Sequence, residues 1–367
     1  MDWRDGSVGD VELTMLDFYR DKKVFITGHT GFKGAWLCRA LLQAGAEVTG
    51  YALEPPTAPS LFALTQTEGD MHSIHGDVRN RDALVIAVRE AMPDIVFHMA
   101  AQPIVRRSYR EPAATYETNV MGTVNTLEAV RSVPSVRSFV NVTTDKVYEN
   151  REWRWGYRED DNLCGQDPYS NSKSCSELVT CGYRKSFFND GDDAPAVSTA
   201  RSGNVIGGGD YAPDRIIPDC VRAVESAGEI TIRNPQSTRP YQHVLECLYG
   251  YLLLAEKQYG DAGFEGAYNF GPDDESCVTN KELVNLFCGA WGDGALWRVQ
   301  GDGGPHEANF LKLDCSKAKS VLGWRPCWDI KTAVEKVVEF AKINADNERA
   351  ACVDGQIRAY FDAVGKY

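Results

Sequence analysis

The segment from Lys22 to Gly34 constrains this chain more than any other. An apolar strand, KKVFIT, passes straight into the loop Gly28-His29-Thr30-Gly31-Phe32-Lys33-Gly34, and an amphipathic helix begins within that loop. Glycines at Gly28, Gly31 and Gly34 allow a tight turn and let backbone N–H groups approach a pyrophosphate. The helix behind them points its positive end at the same place. Such glycines are common in turns, but between a strand and a helix they meet the context that a dinucleotide site requires.

The pattern then repeats. A helix from Phe32 to Ala44 carries Trp36, Leu37, Ala40 and Leu41 on one face, and Gly45 closes it. Further strands are expected over 46–51, 71–75, 94–99, 138–142 and 196–200, with helices over 81–91, 118–131 and beyond Tyr169. This alternation predicts an α/β fold, a doubly wound parallel Rossmann sheet with a smaller C-terminal substrate-binding lobe. Residues 1–21 read as an N-terminal extension and 22–202 as the cofactor domain, to which 240–272 return. Residues 203–239 and 273–367 are assigned to the lobe, where the regular alternation breaks into glycine- and proline-rich stretches. Ligands of such sheets sit at the carboxyl ends of the strands. The glycine loop, Ala100-Ala101-Gln102 and Thr143-Thr144-Asp145 all fall on that rim.

Composition narrows the function. With 39 Lys+Arg against 52 Asp+Glu the net charge is -13, the wrong sign for a nucleic-acid footprint. The 11 cysteines contain no C-x-x-C pair and the 6 histidines show no ligand spacing, so free thiols in a reducing cytoplasm and no metal are expected. No signal peptide and no bilayer-crossing stretch is expected either.

The chemistry-bearing groups follow the glycine loop. Tyr169 and Lys173 stand one helical turn apart in DPYSNSK. A phenol titrates near ~10 in water, and a neighbouring cation lowers that value, which suits Tyr169 to take a proton from a hydroxyl while hydride leaves the carbon. Thr144 can donate to the same oxygen. At the end of the second strand Ala52 stands where an acid would hold a ribose, with Glu54 slightly beyond. No arginine follows to meet a 2′-phosphate, so NAD is favoured. Asp77 reads either as a partner for the adenine or as a helix N-cap. Lys33 reads either as a phosphate contact or as a solvated surface lysine.

Asp145 and Lys146 point to a second step. Once C4 of a hexose is a ketone, its C5 hydrogen is acidic; a base removes it while an acid protonates the departing C6 hydroxyl. Asp145 is the candidate acid if burial keeps it protonated, and Lys146 the candidate base. The competing reading of the two is a surface ion pair.

These residues resemble the extended short-chain dehydrogenase/reductase family, and within it the nucleotide-sugar 4,6-dehydratases. The resemblance spans nearly the whole chain through TGHTGFKGAWL, GYALEPPTAPSLF, FHMAAQPIVRRSY, TDKVYENREWRWGYRE, DPYSNSK, ARSGNVIGGGDYAPDRIIPD, IRNPQSTRPYQHVLE and PHEANFLKLDCSKA. Relatives carry Asp-Glu after the threonine; Lys146 in place of that glutamate resembles the branch acting on CDP-glucose. Simple 4-epimerases lack the acid that Asp145 supplies. The resemblance implies NAD held by Gly28 to Gly34, Asp77, Val78, Ala100, Ala101, Gln102, Asn119, Tyr169 and Lys173. It implies a nucleotide sugar touched by Gln102, Asn204, Arg215, Arg239 and His306, with Glu307 nearby. For Arg215 a surface salt bridge is the competing reading. Trp153, Trp155 and Tyr157 either shape the substrate mouth or pack between the lobes. Relatives often form dimers or tetramers through helices around 109–131 and 167–190. Leu178, Val179 and Phe187 serve either a partner or, as the safer expectation, the core.

Overall fold

The computed structural model describes residues 15–189, 194–292, 294–301 and 310–365. Seven strands form one sheet: β1 Lys23–Thr27, β2 Glu47–Ala52, β3 His72–His75, β4 Ile95–His98, β5 Ser138–Val142, β6 Ala196–Ser202 and β7 Ala267–Phe270. Their order is β7-β6-β5-β4-β1-β2-β3, and every neighbouring pair is parallel. The chain leaves β1 in one direction for β2 and β3 and later returns on its other side as β4. A crevice therefore opens between the carboxyl ends of β1 and β4, where such sheets bind ligands.

The principal helices are α1 Phe32–Gln43, α2 Arg81–Ala91, α3 Gly122–Arg131, α4 Pro168–Phe187, α5 Ile216–Glu225, α6 Val244–Gly260, α7 Asn280–Trp291, α8 Ile330–Ala341 and α9 Asp346–Val364. On one face of the sheet, Trp36, Leu37 and Leu41 of α1 share a core with Leu245, Leu248 and Leu252 of α6. On the other, Leu84 and Val88 of α2 and Leu127 and Val130 of α3 cover Phe25, Val96 and Phe139. Covered on both sides, β4, β5 and β6 are buried at every residue, as inner parallel strands should be. A separate core gathers Ile217, Ile230, Leu283, Phe287, Val334 and Val337 beyond the sheet.

Four features differ from the sequence expectation. Residues 15–21 are not a loose extension: Tyr19 is fully buried and its hydroxyl donates to the Leu252 carbonyl at 2.6 Å. The helix expected over 118–131 starts earlier, at Pro112, and passes through a π turn at Glu117–Met121 before α3. Leu178 and Phe187 are 59% and 51% exposed, so neither is core, whereas Val179 packs against the apolar cluster of α2 and α3. The last helix, expected in the lobe, lies against the sheet layer, where Asp354 of α9 takes Arg39 of α1 at 2.6 Å and Gln43 at 2.9 Å. Among the described residues no helix is long and apolar enough to cross a membrane.

Candidate active site

The glycine loop leaves β1 with Gly28 at φ +79°, and a Cβ there would sit 2.7 Å from the Ala100 nitrogen at the end of β4. At Gly34 a Cβ would meet the Gly28 carbonyl oxygen at 2.3 Å, so the loop and helix touch through bare backbone. Gly31 precedes α1 with no side-chain cap, which leaves the first-turn N–H groups of the helix to a ligand. Close backbone approach and an uncapped positive helix end suit a pyrophosphate. Gly34→Ala is expected to cost about 2–3 kcal/mol by forced displacement of the loop, read as a lowered urea midpoint. An unchanged midpoint would show that the loop can give way.

The other loop residues divide. Thr30 donates to the Leu53 carbonyl at 2.8 Å, tying the loop to the end of β2. His29 turns into the protein: its ring sits edge-on to Phe62, and Nε2 shares a hydrogen with Ser73 at 2.8 Å. Burial lowers the imidazole to about 4, so it is neutral. Lys33 is half-buried and turns away from the helix end. Its Nζ donates to Ser202 at 2.9 Å and toward Tyr251 at 3.4 Å, at the carboxyl end of β6. Asp77 is not a helix cap. Both its oxygens take the Arg79 guanidinium, and Asn80 caps α2 instead. Val78 is buried against Gly122 at the start of α3.

Gln102 and Asn119 build the rim from below. Within the π turn, the Asn119 amide accepts the Gln102 N–H at 2.8 Å and donates to Ser172 of α4 at 2.8 Å. The Gln102 side chain closes on Ile104 at 2.8 Å and Thr115 at 3.0 Å. Asn119 thus holds the Ala100-Ala101-Gln102 loop against the helix that carries Tyr169, and Gln102 ties it to Thr115.

That helix begins at Pro168 and is capped by Asp167, whose carboxylate accepts the Ser170 N–H at 3.0 Å. Tyr169 and Lys173 follow on its buried face. Burial pushes the Tyr169 phenol up to about 12, against the opposing hydrogen bond from Thr144. Lys173 donates to the Val142 carbonyl at 3.0 Å, and burial with Lys33 nearby lowers it to about 8. Asp145 is 1% exposed, accepts the Thr144 hydroxyl at 2.9 Å through one oxygen, and leaves the other without a hydrogen-bond partner. Burial raises its carboxyl although Lys146, Thr144, Arg239 and Lys33 all pull the other way. Lys146 is half-buried beside it.

The lobe side supplies polar groups to the same place. Asn204 presents a second buried oxygen without a partner. Arg239 is buried and its charge reaches Asp145, while Arg215, held by Asp210 at 3.3 Å, acts on Tyr169. His306 and Glu307 lie outside the described residues. Trp153 stacks on Tyr157 at 5.7 Å and Tyr157 on Tyr148 at 5.2 Å, an aromatic file that ends in Trp155 at the surface.

Sequence reasoning missed Ser202 and Tyr251, which receive Lys33, and Glu177, one turn beyond Lys173. Only Glu177 had a local signal, its spacing of four from Lys173 on a helix already recognised.

Comparison with known proteins places these features among relatives. The family model described as GDP-mannose 4,6 dehydratase matches residues 25–269. A CDP-glucose 4,6-dehydratase from Salmonella typhimurium is 50% identical over 357 residues, 95% of this chain and 99% of the relative. A dTDP-glucose 4,6-dehydratase from Streptomyces antibioticus is 28% identical over 88% of this chain and 92% of its own. Among solved structures, UDP-glucuronic acid 4-epimerase from Bacillus cereus, in complex with UDP-glucuronic acid and NAD, superposes with a TM-score of 0.76 at 23% identity, covering 87% and 98% of the two chains, and so shares the fold. The dTDP-glucose 4,6-dehydratase of Streptomyces venezuelae, solved with NAD bound, gives 0.73 at 25% identity over 86% and 95%. By the extent of the family match and the near full-length identity, the chain belongs to the GDP-mannose 4,6 dehydratase family of extended short-chain dehydrogenase/reductase proteins.

Proposed function

We propose that this chain is an NAD-dependent CDP-glucose 4,6-dehydratase, which converts CDP-D-glucose to CDP-4-keto-6-deoxy-D-glucose. The 50% identity to a dehydratase of that name over nearly the full length supports the substrate. The observation that carries the reaction type is Asp145, a buried carboxyl with one unpartnered oxygen beside Thr144 and Tyr169. A 4-epimerase has no use for an acid there.

NAD, which Gly28 to Gly34 would hold, would supply the acceptor for the C4 hydride and the donor of that hydride to C6, so no reductant would be consumed. Tyr169 takes the proton of the C4 hydroxyl, with Thr144 donating to the same oxygen and Lys173 supplying positive charge. Lys146 then removes the C5 proton and gives it back to C5 once hydride has returned to C6. Asp145, whose carboxyl burial raises, gives a proton to the C6 hydroxyl, which leaves as water. Gly28 to Gly34 receive the pyrophosphate, and Lys33 borders the reacting end through Ser202. Arg215 and Arg239 suit the sugar-nucleotide diphosphate, because guanidinium forks match phosphate oxygens. Asn204 and His306 complete the sugar side. We assign 203–239 and most of 273–367 to the substrate lobe. A cytoplasmic homo-oligomer, dimer or tetramer, is part of the same reading, and the exposed Leu178 and Phe187 support it. Its product would feed deoxysugar synthesis.

The test is incubation with CDP-glucose and catalytic NAD, followed by mass spectrometry of the sugar nucleotide. Loss of one water (~18 Da) without accumulating reduced cofactor is expected from the elimination. An unchanged mass with CDP-glucose, but loss of water from another nucleotide sugar, would move the substrate and keep the chemistry.

A further inference from the structure

Tyr169, Lys173 and Glu177 stand at successive turns of one face of α4, and are 9%, 4% and 3% exposed. The first two are in the reaction proposed above; the third is not. Its carboxylate accepts from Thr143, from Thr199 at 2.6 Å, and from Arg201 through Nε at 2.9 Å and Nη2 at 2.8 Å. Arg201 spends its remaining nitrogen on the Tyr148 hydroxyl at 2.8 Å and the Glu159 carbonyl at 3.0 Å. The partners come from two parts of the sheet: Thr143 directly precedes Thr144 and Asp145, while Thr199 and Arg201 lie on β6.

Stability alone does not account for this arrangement. Removing two charges from water is costly, and a well-packed apolar pair of similar volume serves a core as well or better. What an apolar pair cannot do is act on Lys173. That ammonium is buried, and Lys33 of α1 is a second cation nearby. His98 of β4 also faces it, but burial lowers that imidazole to about 3 and leaves it neutral. Glu177 is therefore the anion that offsets burial and Lys33 at Lys173. Although burial works against its charge, Arg201 and the two threonine hydroxyls overcome this and keep the carboxylate ionised.

We infer that Glu177 is a positioning residue of the reaction: its carboxylate fixes the Thr143-Thr144-Asp145 segment against α4 and supplies the counter-charge that keeps Lys173 cationic beside Tyr169. This rests on the roles given to Tyr169 and Lys173 above. The sign of its removal follows. Without the anion, Lys173 gives up its proton at lower pH, Tyr169 loses its cation there, and the alkaline limb of kcat moves down.

The test is Glu177→Gln in the full-length protein, read in two ways. The titration of Lys173 is followed by NMR of ε-13C-lysine, its signal assigned by its absence in Lys173→Met. The kcat and KM for CDP-glucose are followed against pH. A Lys173 midpoint lower by about one unit, an alkaline limb shifted the same way, and KM within about threefold are expected. Glu177→Asp, which keeps the charge, should restore both midpoints. If the single variant is poorly folded, Glu177→Gln with Arg201→Gln removes both buried charges together and should show a smaller shift of the same sign, because loss of the Arg201 cation partly offsets loss of the anion. An unshifted Lys173 in a folded variant would overturn the inference, as would unfolding of both variants, which would leave the pair a purely structural device. The NMR titration needs no turnover, so it separates this inference from failure of the CDP-glucose reading.

Discussion

Tyr169→Phe is expected to lower kcat for water loss from CDP-glucose by about 10³-fold, with KM nearly unchanged. The phenyl ring fills the same space on α4 and loses only the hydroxyl that meets Thr144. Folding should therefore survive, and the thermal unfolding midpoint is the control. The size of the effect reflects how unfavourable the proton transfer is without help. Burial holds the phenol at about 12, so at neutral pH the wild-type group works as a base only through the charges and donors around it. The rate of C4 oxidation by the wild type should accordingly rise with pH until Lys173, at about 8, begins to lose its charge. In the Phe variant that rise should vanish. A loss of less than tenfold would remove Tyr169 from the proton transfer.

Asp145→Asn is expected to lower water loss by about 10²–10³-fold while leaving oxidation at C4 in place. The amide keeps the size of the side chain and can still accept from Thr144, but it cannot deliver a proton to a departing hydroxyl. The two halves of the reaction should separate: mass spectrometry would show a C4-oxidised sugar that retains all its oxygens, accompanied by stoichiometric reduced nicotinamide. The pH dependence has a definite sign. Burial raises the Asp145 carboxyl, so the acid form persists above the usual carboxylate range, and elimination should decline as pH rises through that raised value. Asparagine should abolish the decline. Water loss at the wild-type rate would assign the acid to another group.

The sheet and its rim were legible because each strand-loop-helix unit is written locally. KKVFIT before a glycine loop, SFVNV before Thr143-Thr144-Asp145, and the one-turn spacing of Tyr169 and Lys173 in DPYSNSK each carry their own signal. What was not legible is direction. No local pattern says that Lys33 turns to Ser202, 169 residues later, or that His29 turns away toward Ser73. Asp77 read either as an adenine partner or as a cap, but the guanidinium of Arg79 two residues on takes its carboxylate and capping falls to Asn80. The polar, acidic beginning of the chain hid Tyr19, which packs into the apolar core and donates to a carbonyl 233 residues away. Glu177 had the right spacing, yet its role depends on Thr143, Thr199 and Arg201, which only the folded sheet brings together.

The order of the sheet also has a consequence for how the chain emerges during synthesis. The outer strand β7 is residues 267–270, and it covers β6, which ends at Ser202. Until those later residues leave the ribosome, β6 is an open edge whose unpaired backbone can accept a strand from a neighbouring nascent chain. Helix α6, which roofs the same region with Leu245, Leu248 and Leu252, arrives only shortly before β7. The Rossmann half therefore matures late although most of it is translated early, and termination after β6 but before residue 267 leaves that edge open to aggregation.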